Sequence, residues 1–298
     1  MESGEEMADK FLVIDGSSLI HRAFFALPPL MTKQGVHTGA VYGFCNMLVK
    51  LLGDVKPKWL AVAFDKSRKT FRTEMFADYK GQRKPTPSEL SEQFPLARRL
   101  LEAMNITVLE TDGYEADDIL GTVGKKAQSL GYNVVILSGD RDLLQLADEH
   151  IKIRLPKTIK GRTEIENYYP EDVMEKYMAT PSEFIDLKAL MGDSSDNIPG
   201  VPGIGEKTAM SIISKYHSIE NAYEHVEELT PAKAKNSLRE NYDLAKLSKV
   251  LATIETDAPV EFNIEDSAIG NIFTKEAYEL FTRYELKSLL KYFDKSSF

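Results

Sequence analysis

The sequence predicts an α/β protein: a mostly parallel central sheet flanked by helices, followed by a helical C-terminal region. Short apolar runs rich in β-branched residues, FLVI, WLAVAF and VVILSG, read as buried strands. Helical patterns separate these runs, and strands alternating with helices favour parallel pairing. Each run also stops at carboxylates: Asp15, Asp65, and Asp140 with Asp142. In parallel sheets ligands bind beyond the carboxyl ends of the strands, so these acids are expected at one edge.

Taken in order, FLVI is the first strand and ends at Asp15. Val41, Phe44, Leu48 and Leu51 then recur at helical spacing. WLAVAF is the second strand, ending at Asp65. Pro85 and Pro87 mark a turn before a helix carrying Leu96, Leu100 and Leu101. Asp112 followed by Gly113 reads as another turn. Glu115 and Asp118 stand three apart near a helix start and share a face, which turns Asp117 elsewhere unless that turn is irregular. Ile119, Val123, Ala127 and Leu130 continue the helix. VVILSG is the third strand and leads to Asp140 and Asp142. A later apolar helix carries Phe184, Ile185, Leu187 and Leu190, and GDSSDN after it supplies Asp193 and Asp196.

Gathering these acids has a cost. At ~4 Å and an effective dielectric of ~20, one carboxylate pair repels by about 4 kcal/mol. A cleft holding Asp15, Asp65, Glu115, Asp117, Asp118, Asp140, Asp142, Asp193 and Asp196 needs protons or cations. Oxygen-only ligands favour Mg²⁺ or Mn²⁺ over zinc. Two such ions about 4 Å apart can clamp the attacking and leaving oxygens of a phosphodiester. A single Asp after a strand is most simply a helix cap, but recurrence at equivalent strand ends points to a shared site.

The 298 residues suffice for one large domain or two modest ones, and 43% hydrophobic content supports a real core. The one cysteine, Cys45, excludes an internal disulfide, and the five histidines show no zinc-like spacing. The opening MESGEEMADK is not a signal peptide, and no stretch is apolar enough to span a membrane, so a cytoplasmic location is expected. The net charge of −9 does not argue against a nucleic-acid partner. Nine of the 46 acids are the candidate site, and without them the acids equal the 37 Lys plus Arg. The distribution of charge therefore matters more than its sum.

Residues 66–84, KSRKTFRTEMFADYKGQRK, carry Lys66, Arg68, Lys69, Arg72, Lys80, Arg83 and Lys84 against Glu74 and Asp78. Phe71, Phe76 and Tyr79 are interleaved. Basic groups neutralise phosphates and aromatic faces stack on bases. The segment departs from Asp65 and so must pass near the acids. NIPGVPGIGEKTAMSII is a second motif. IPGVPGIG cannot be a helix interior, and a helix with Ala209, Ile212, Ile213 and Tyr216 follows it. Glycines allow close backbone approach, and free N–H groups at a helix start bind phosphate, with Lys207 adding a cation. A Walker-type loop is excluded by spacing, because Glu206 stands between Gly205 and Lys207.

Together VIDGSS, RAFFALPPL, GVHTGAVYGF, VAFD, FRTEMFADYKGQR, YEADDI, SGDRDLLQL and GDSSDNIPGVPGIGEKTA resemble the 5′ nuclease family of flap endonucleases and 5′–3′ exonucleases. This family includes the N-terminal exonuclease domain of bacterial DNA polymerase I. LAKLSKVLATI and LFTRYELKSLL extend the resemblance to the tail, so it covers nearly the whole chain. The resemblance implies a nuclease core over 1–179 with a helical arch over about 66–95. It implies a helix-three-turn-helix duplex-binding region and C-terminal helices over 180–298. It places Asp15, Asp65, Glu115 and Asp117 around one Mg²⁺ or Mn²⁺. Asp140, Asp142 and Asp193 surround a second, with Asp118 and Asp196 further out or acting through water. Arg72, Tyr79, Lys80 and Arg83 would meet the scissile phosphate region and a threaded single strand. Gly203, Ile204, Gly205, Glu206, Lys207 and Thr208 would grip the duplex. K⁺ would lie on carbonyls of Leu190, Met191, Pro199, Val201 and Ile204. The implied partner is DNA with 5′ flaps, nicks or 5′ overhangs, cut by a monomer that can be covalently linked to a polymerase. The alternatives are a non-catalytic branched-DNA binder and a metal-dependent ribonuclease. A phosphohydrolase with an aspartyl nucleophile would want an acid where Ser17 stands.

Overall fold

The computed structural model describes residues 9–159 and 162–297. Strand β1 (Lys10–Asp15) leads into α1 (Gly16–Ala26) and α2 (Gly39–Val55), and β2 (Trp59–Ala63) follows. Next come α3 (Phe71–Met75), α4 (Ser88–Ser91), α5 (Gln93–Ala103), β3 (Thr107–Leu109), α6 (Ala116–Ser129) and β4 (Asn133–Leu137). A 3-10 turn at Arg141–Leu146 precedes β5 (Ile151–Ile159) and β6 (Arg162–Tyr168). The rest is helical: α7 (Pro170–Tyr177), α8 (Phe184–Met191), α9 (Glu206–Tyr216), α10 (Ile219–Glu224), α11 (Ala232–Glu240), α12 (Tyr242–Ala252) and α13 (Lys275–Arg283).

The sheet order is β3-β2-β1-β4-β5-β6, and every pairing is parallel except the β5–β6 hairpin. The hairpin was not among the expected elements. Strand alternation explains why the central runs are apolar throughout. Phe11 and Val13 face one side with Trp59, Ala61, Val134 and Ile136, under α6. Leu12 and Ile14 face the other with Leu60, Val62, Val135 and Leu137, under α1, α2 and α5. The chain moves outward from β1 to β2 and β3 with helices on one face. It then returns through α6 on the opposite face to β4, beside β1. The switch point thus lies between the carboxyl ends of β1 and β4, where an open sheet forms its crevice.

Two elements depart from the expectations. Leu130 was expected on the core face of α6, but the helix ends at Ser129 and Leu130 is 58% exposed. The chain turns there through Gly131 at φ 89°, a conformation glycine accepts without strain. Residues 66–95 are only partly helical, with five-residue α3 and four-residue α4 separated by turns.

The apolar core is continuous across residue 179, because Tyr177, Ala179, Phe184 and Leu187 belong to one buried cluster. Helix α13 returns to the α5 side of the sheet, where Leu280 and Phe281 join the opposite cluster. Between α8 and α9 the chain crosses itself at Gly192 and Gly200. A Cβ on Gly200 would lie 2.4 Å from the Gly192 nitrogen, and both have positive φ. That crossing closes the loop bearing Asp193 and Asp196, sealed by paired bonds between Asp193 and Ile198 (3.0 and 2.8 Å).

Candidate metal centre

Asp15 ends β1 and caps α1. Its Oδ1 accepts from the Ser18 N–H at 2.9 Å, and its Oδ2 accepts from Ser138 Oγ at 2.7 Å. Burial, then the charge of Asp65, pushes its carboxyl up to about 6. Asp65 is exposed. Its Oδ1 accepts from the Ala116 N–H at 2.8 Å, and its own N–H donates to Ser17 Oγ at 2.9 Å. Ser17 therefore ties the start of α1 to the chain just past β2.

The start of α6 sorts its three acids by direction. Glu115 is the cap residue, in extended backbone, and faces the basic segment: Lys80 Nζ donates to its Oε2 at 2.7 Å and Tyr79 OH at 3.1 Å. Asp117 faces the interior of the cleft, where burial and then the charges of Asp140 and Asp15 raise its carboxyl well above the usual range. Asp118 turns away from it. It is fully buried, forms a bidentate pair with Arg72 (2.7 and 2.8 Å) and accepts the N–H groups of Glu115 (3.0 Å) and Glu255 (2.8 Å).

Asp140 and Asp142 lie just past β4. Asp140 caps the 3-10 turn by accepting the Asp142 N–H at 2.8 Å. Burial, then Asp140, pushes the Asp142 carboxyl up to about 7. Carboxylate oxygens of Asp140, Asp142 and Asp196 lie within 4.8 Å of one another. Asp193 stands differently: it is ion-paired with Lys188 and accepts from Ser195 N–H and Oγ (2.7 and 2.6 Å). Burial would raise its carboxyl, but Lys188 and Ser195 outweigh this and hold it at about 2. Lys188 Nζ also lies 2.8 Å from Asp142 Oδ1, so one buried ammonium serves both acids. In this arrangement Asp196, not Asp193, completes the trio with Asp140 and Asp142. An oxygen-only trio at this spacing can hold a divalent cation.

The basic segment folds onto this cleft. Lys80 and Tyr79 reach Glu115, and Arg83 pairs with Asp196. Arg72 does not. Expected beside a threaded strand, its guanidinium is 3% exposed and donates to Asp118 and to the carbonyls of Leu251 (2.9 Å) and Thr253 (2.6 Å). Sequence reasoning missed Lys188, hidden in an apolar helix, and Ser17, Ser18 and Ser138, whose hydroxyls hold the acids. Only the mixture of a lysine among Phe184, Leu187 and Leu190 marked the first of these.

In the glycine hairpin, Gly203, Gly205, Glu206 and Lys207 are exposed at the start of α9, and Thr208 is half-buried. Ile204 is buried, so it offers backbone only. Of the carbonyls expected to meet K⁺, Leu190 O accepts from Val201 N–H (2.7 Å) and Val201 O from Ile204 N–H (3.0 Å), each keeping one lone pair.

The raised carboxyls have a stability consequence. A carboxyl raised in the folded state stabilises it below the ordinary carboxylate range, and that contribution is lost as pH rises through the folded value. With Asp15 near 6 and Asp142 near 7, the chelated protein should lose stability between about pH 4 and pH 7. Mn²⁺ or Mg²⁺ should then raise the melting temperature more at pH 8 than at pH 5. Thermal scans in chelator and in metal check this. A pH-independent melting temperature in chelator, or a slope unchanged by Asp142→Asn, contradicts it.

The family model described as 5'-3' exonuclease, N-terminal resolvase-like domain, matches residues 10–178. The 5'-3' exonuclease, C-terminal SAM fold model matches residues 179–285. The chain belongs to the 5′–3′ exonuclease family. Its relatives include DNA polymerase I of Bacillus caldotenax, 49% identical over 96% of this chain and 32% of that protein. DNA polymerase I of Bacillus subtilis is 48% identical over 95% of this chain and 32% of its own. The exonuclease chain thus spans about a third of the length of the curated relatives it matches. A phage T5 flap endonuclease solved in a product-like complex with DNA and metal ions shares the fold. Its TM-score is 0.68 at 23% identity, covering 93% of this exonuclease chain and 99% of the phage protein. Among the described residues, no helix of this 5′–3′ exonuclease family member is long and apolar enough to cross a membrane.

Proposed function

We propose that this chain is a structure-specific 5′ nuclease that hydrolyses DNA phosphodiesters at 5′ flaps, nicks and 5′ overhangs with Mg²⁺ or Mn²⁺. The observation that carries the reading is the convergence at the β1–β4 switch point of Asp15, Asp117 and Glu115 with the Asp140–Asp142–Asp196 trio, faced by Lys80 and Arg83. Paired divalent ions would supply Lewis-acid stabilisation of the attacking and leaving oxygens. The carboxylates of Asp15, Asp65, Glu115 and Asp117 would hold one ion, and Asp140, Asp142 and Asp196 the other. Asp193 would orient Lys188 and Ser195 around the second group. Lys80 and Arg83 already lie within reach of Glu115 and Asp196, so either can swing to a phosphate and offset its developing charge. Exposed N–H groups at Gly205–Lys207 would grip the duplex backbone without reading bases. K⁺ on the carbonyls of Leu190, Met191, Pro199, Val201 and Ile204 would stiffen that hairpin. Covalent linkage to a polymerase, which the polymerase I relatives support, and action in the cytoplasm as a monomer complete the proposal.

The test is a 5′-labelled flap duplex incubated with Mg²⁺, expected to release the flap and leave a nicked duplex. Tight binding with an intact flap would favour a non-catalytic binder, and faster cutting of an all-RNA hairpin a ribonuclease. Lys80→Ala should slow single-turnover cleavage roughly 10²-fold while weakening duplex binding by much less. Equal losses in both would make Lys80 a docking residue only.

A further inference from the structure

Among the contacts that fasten the turn carrying Lys80 and Arg83 to the acidic loop is one amide side chain. Asn197 Nδ2 donates to the Asp78 carbonyl at 2.7 Å, and its Oδ1 accepts from Gln82 Nε2 at 3.3 Å. The two contacts grip the turn on either side of Lys80. A backbone bond runs alongside, from Lys80 N–H to the Asp196 carbonyl at 2.8 Å, and the Arg83 side chain donates through Nε to the Ser195 carbonyl at 3.3 Å. Both Lys80 (φ 54°) and Asn197 (φ 55°) hold left-handed backbone that side chains rarely adopt, so the contacts around them must hold this geometry. On the inner side Tyr79 packs with Ile198, Leu251 and Ala252. On the outer side, the amide of Asn197 spans the turn.

We propose that Asn197 is a positioning residue for phosphodiester cleavage, clamping the turn 78–83 so that Lys80 and Arg83 face the carboxylate cleft. The inference rests on the reading that these two cations act on the scissile phosphate. Asn197 touches no reacting atom in it and works only through the turn. A freed turn would carry both cations out of register, and a misplacement of about 1 Å can cost as much as 10²-fold in rate.

The informative variant is Asn197→Gly, because glycine accepts the left-handed backbone without strain and removes the side chain with its amide. It should lower single-turnover cleavage of the flap duplex about tenfold or more with duplex affinity little changed. In a Lys80→Ala/Arg83→Ala background the same change should lower cleavage by no more than about twofold, since there is nothing left to position. Brief trypsin treatment, read by mass spectrometry, should cut Asn197→Gly after Lys80 or Arg83 faster than the unaltered protein. Gln82→Ala should move rate and protease sensitivity in the same direction by less. If Lys80→Ala/Arg83→Ala leaves cleavage unchanged, the functional reading fails and takes this inference with it. If that double variant is slow but the Asn197→Gly loss multiplies with it, or trypsin sensitivity is unaltered, the inference alone is overturned.

Discussion

Asp140→Asn should abolish cleavage, by roughly 10³-fold or more, while leaving duplex binding close to unaltered. The amide keeps the size of the side chain and an oxygen to accept the Asp142 N–H, so the 3-10 turn should remain capped. It removes one negative charge from the trio with Asp142 and Asp196, whose oxygens lie within 4.8 Å. Divalent-ion affinity should fall for that reason. In the same step the Asp142 carboxyl, pushed up partly by Asp140, should move back toward its ordinary range. Asp15→Asn should act alike at the other group, since it removes a charge that helps raise the Asp117 carboxyl there. Single-turnover cleavage, duplex binding in chelator and calorimetric Mn²⁺ titration check the three parts. Full activity in either variant would refute the metal assignment.

Arg72→Met should destabilise the fold by about 3–5 kcal/mol, on the order of 10 °C in melting temperature. The guanidinium joins three elements: it leaves from α3, pairs with Asp118 of α6 and closes on the carbonyls at and beyond the end of α12. Burial alone would lower its proton affinity, but Asp118 outweighs burial and holds it above the ordinary value. Removing it leaves a fully buried carboxylate with two backbone N–H donors and no counter-charge. Denaturant titration measures the cost, and activity assayed well below the new midpoint separates stability from catalysis. A variant of unchanged stability that no longer cuts would return Arg72 to the substrate path.

The strands were legible because a strand buried on both faces must be apolar along its whole length, as FLVI and VVILSG are. The acids at their ends were legible because the parallel sheet aligns those ends. The β5–β6 hairpin was not, although Ile151, Ile153 and Leu155 alternate. Its residues Lys152, Arg154 and Lys157 break the apolar run that marked the central strands. The arch residues divided. Tyr79, Lys80 and Arg83 meet the cleft, whereas Arg72, chemically the same kind of residue, serves the core.

By itself the sequence determined the alternating fold, the aligned acids and the glycine hairpin, since each depends on local periodicity or on backbone freedom. Only the tertiary structure decided how the charges pair. Asp118 went to Arg72, Asp193 to Lys188, and Asp196 to Arg83 at the edge of the trio, although all three sit in motifs that look equally poised for a cation. The reason is that burial makes an unpaired charge costly, and the counter-charge comes from wherever folding places a cation, with Arg72 46 residues from Asp118 and Lys188 five from Asp193. Which carboxylate is neutralised by protein, and which is left to bind an ion, therefore depends on distances that no local pattern records.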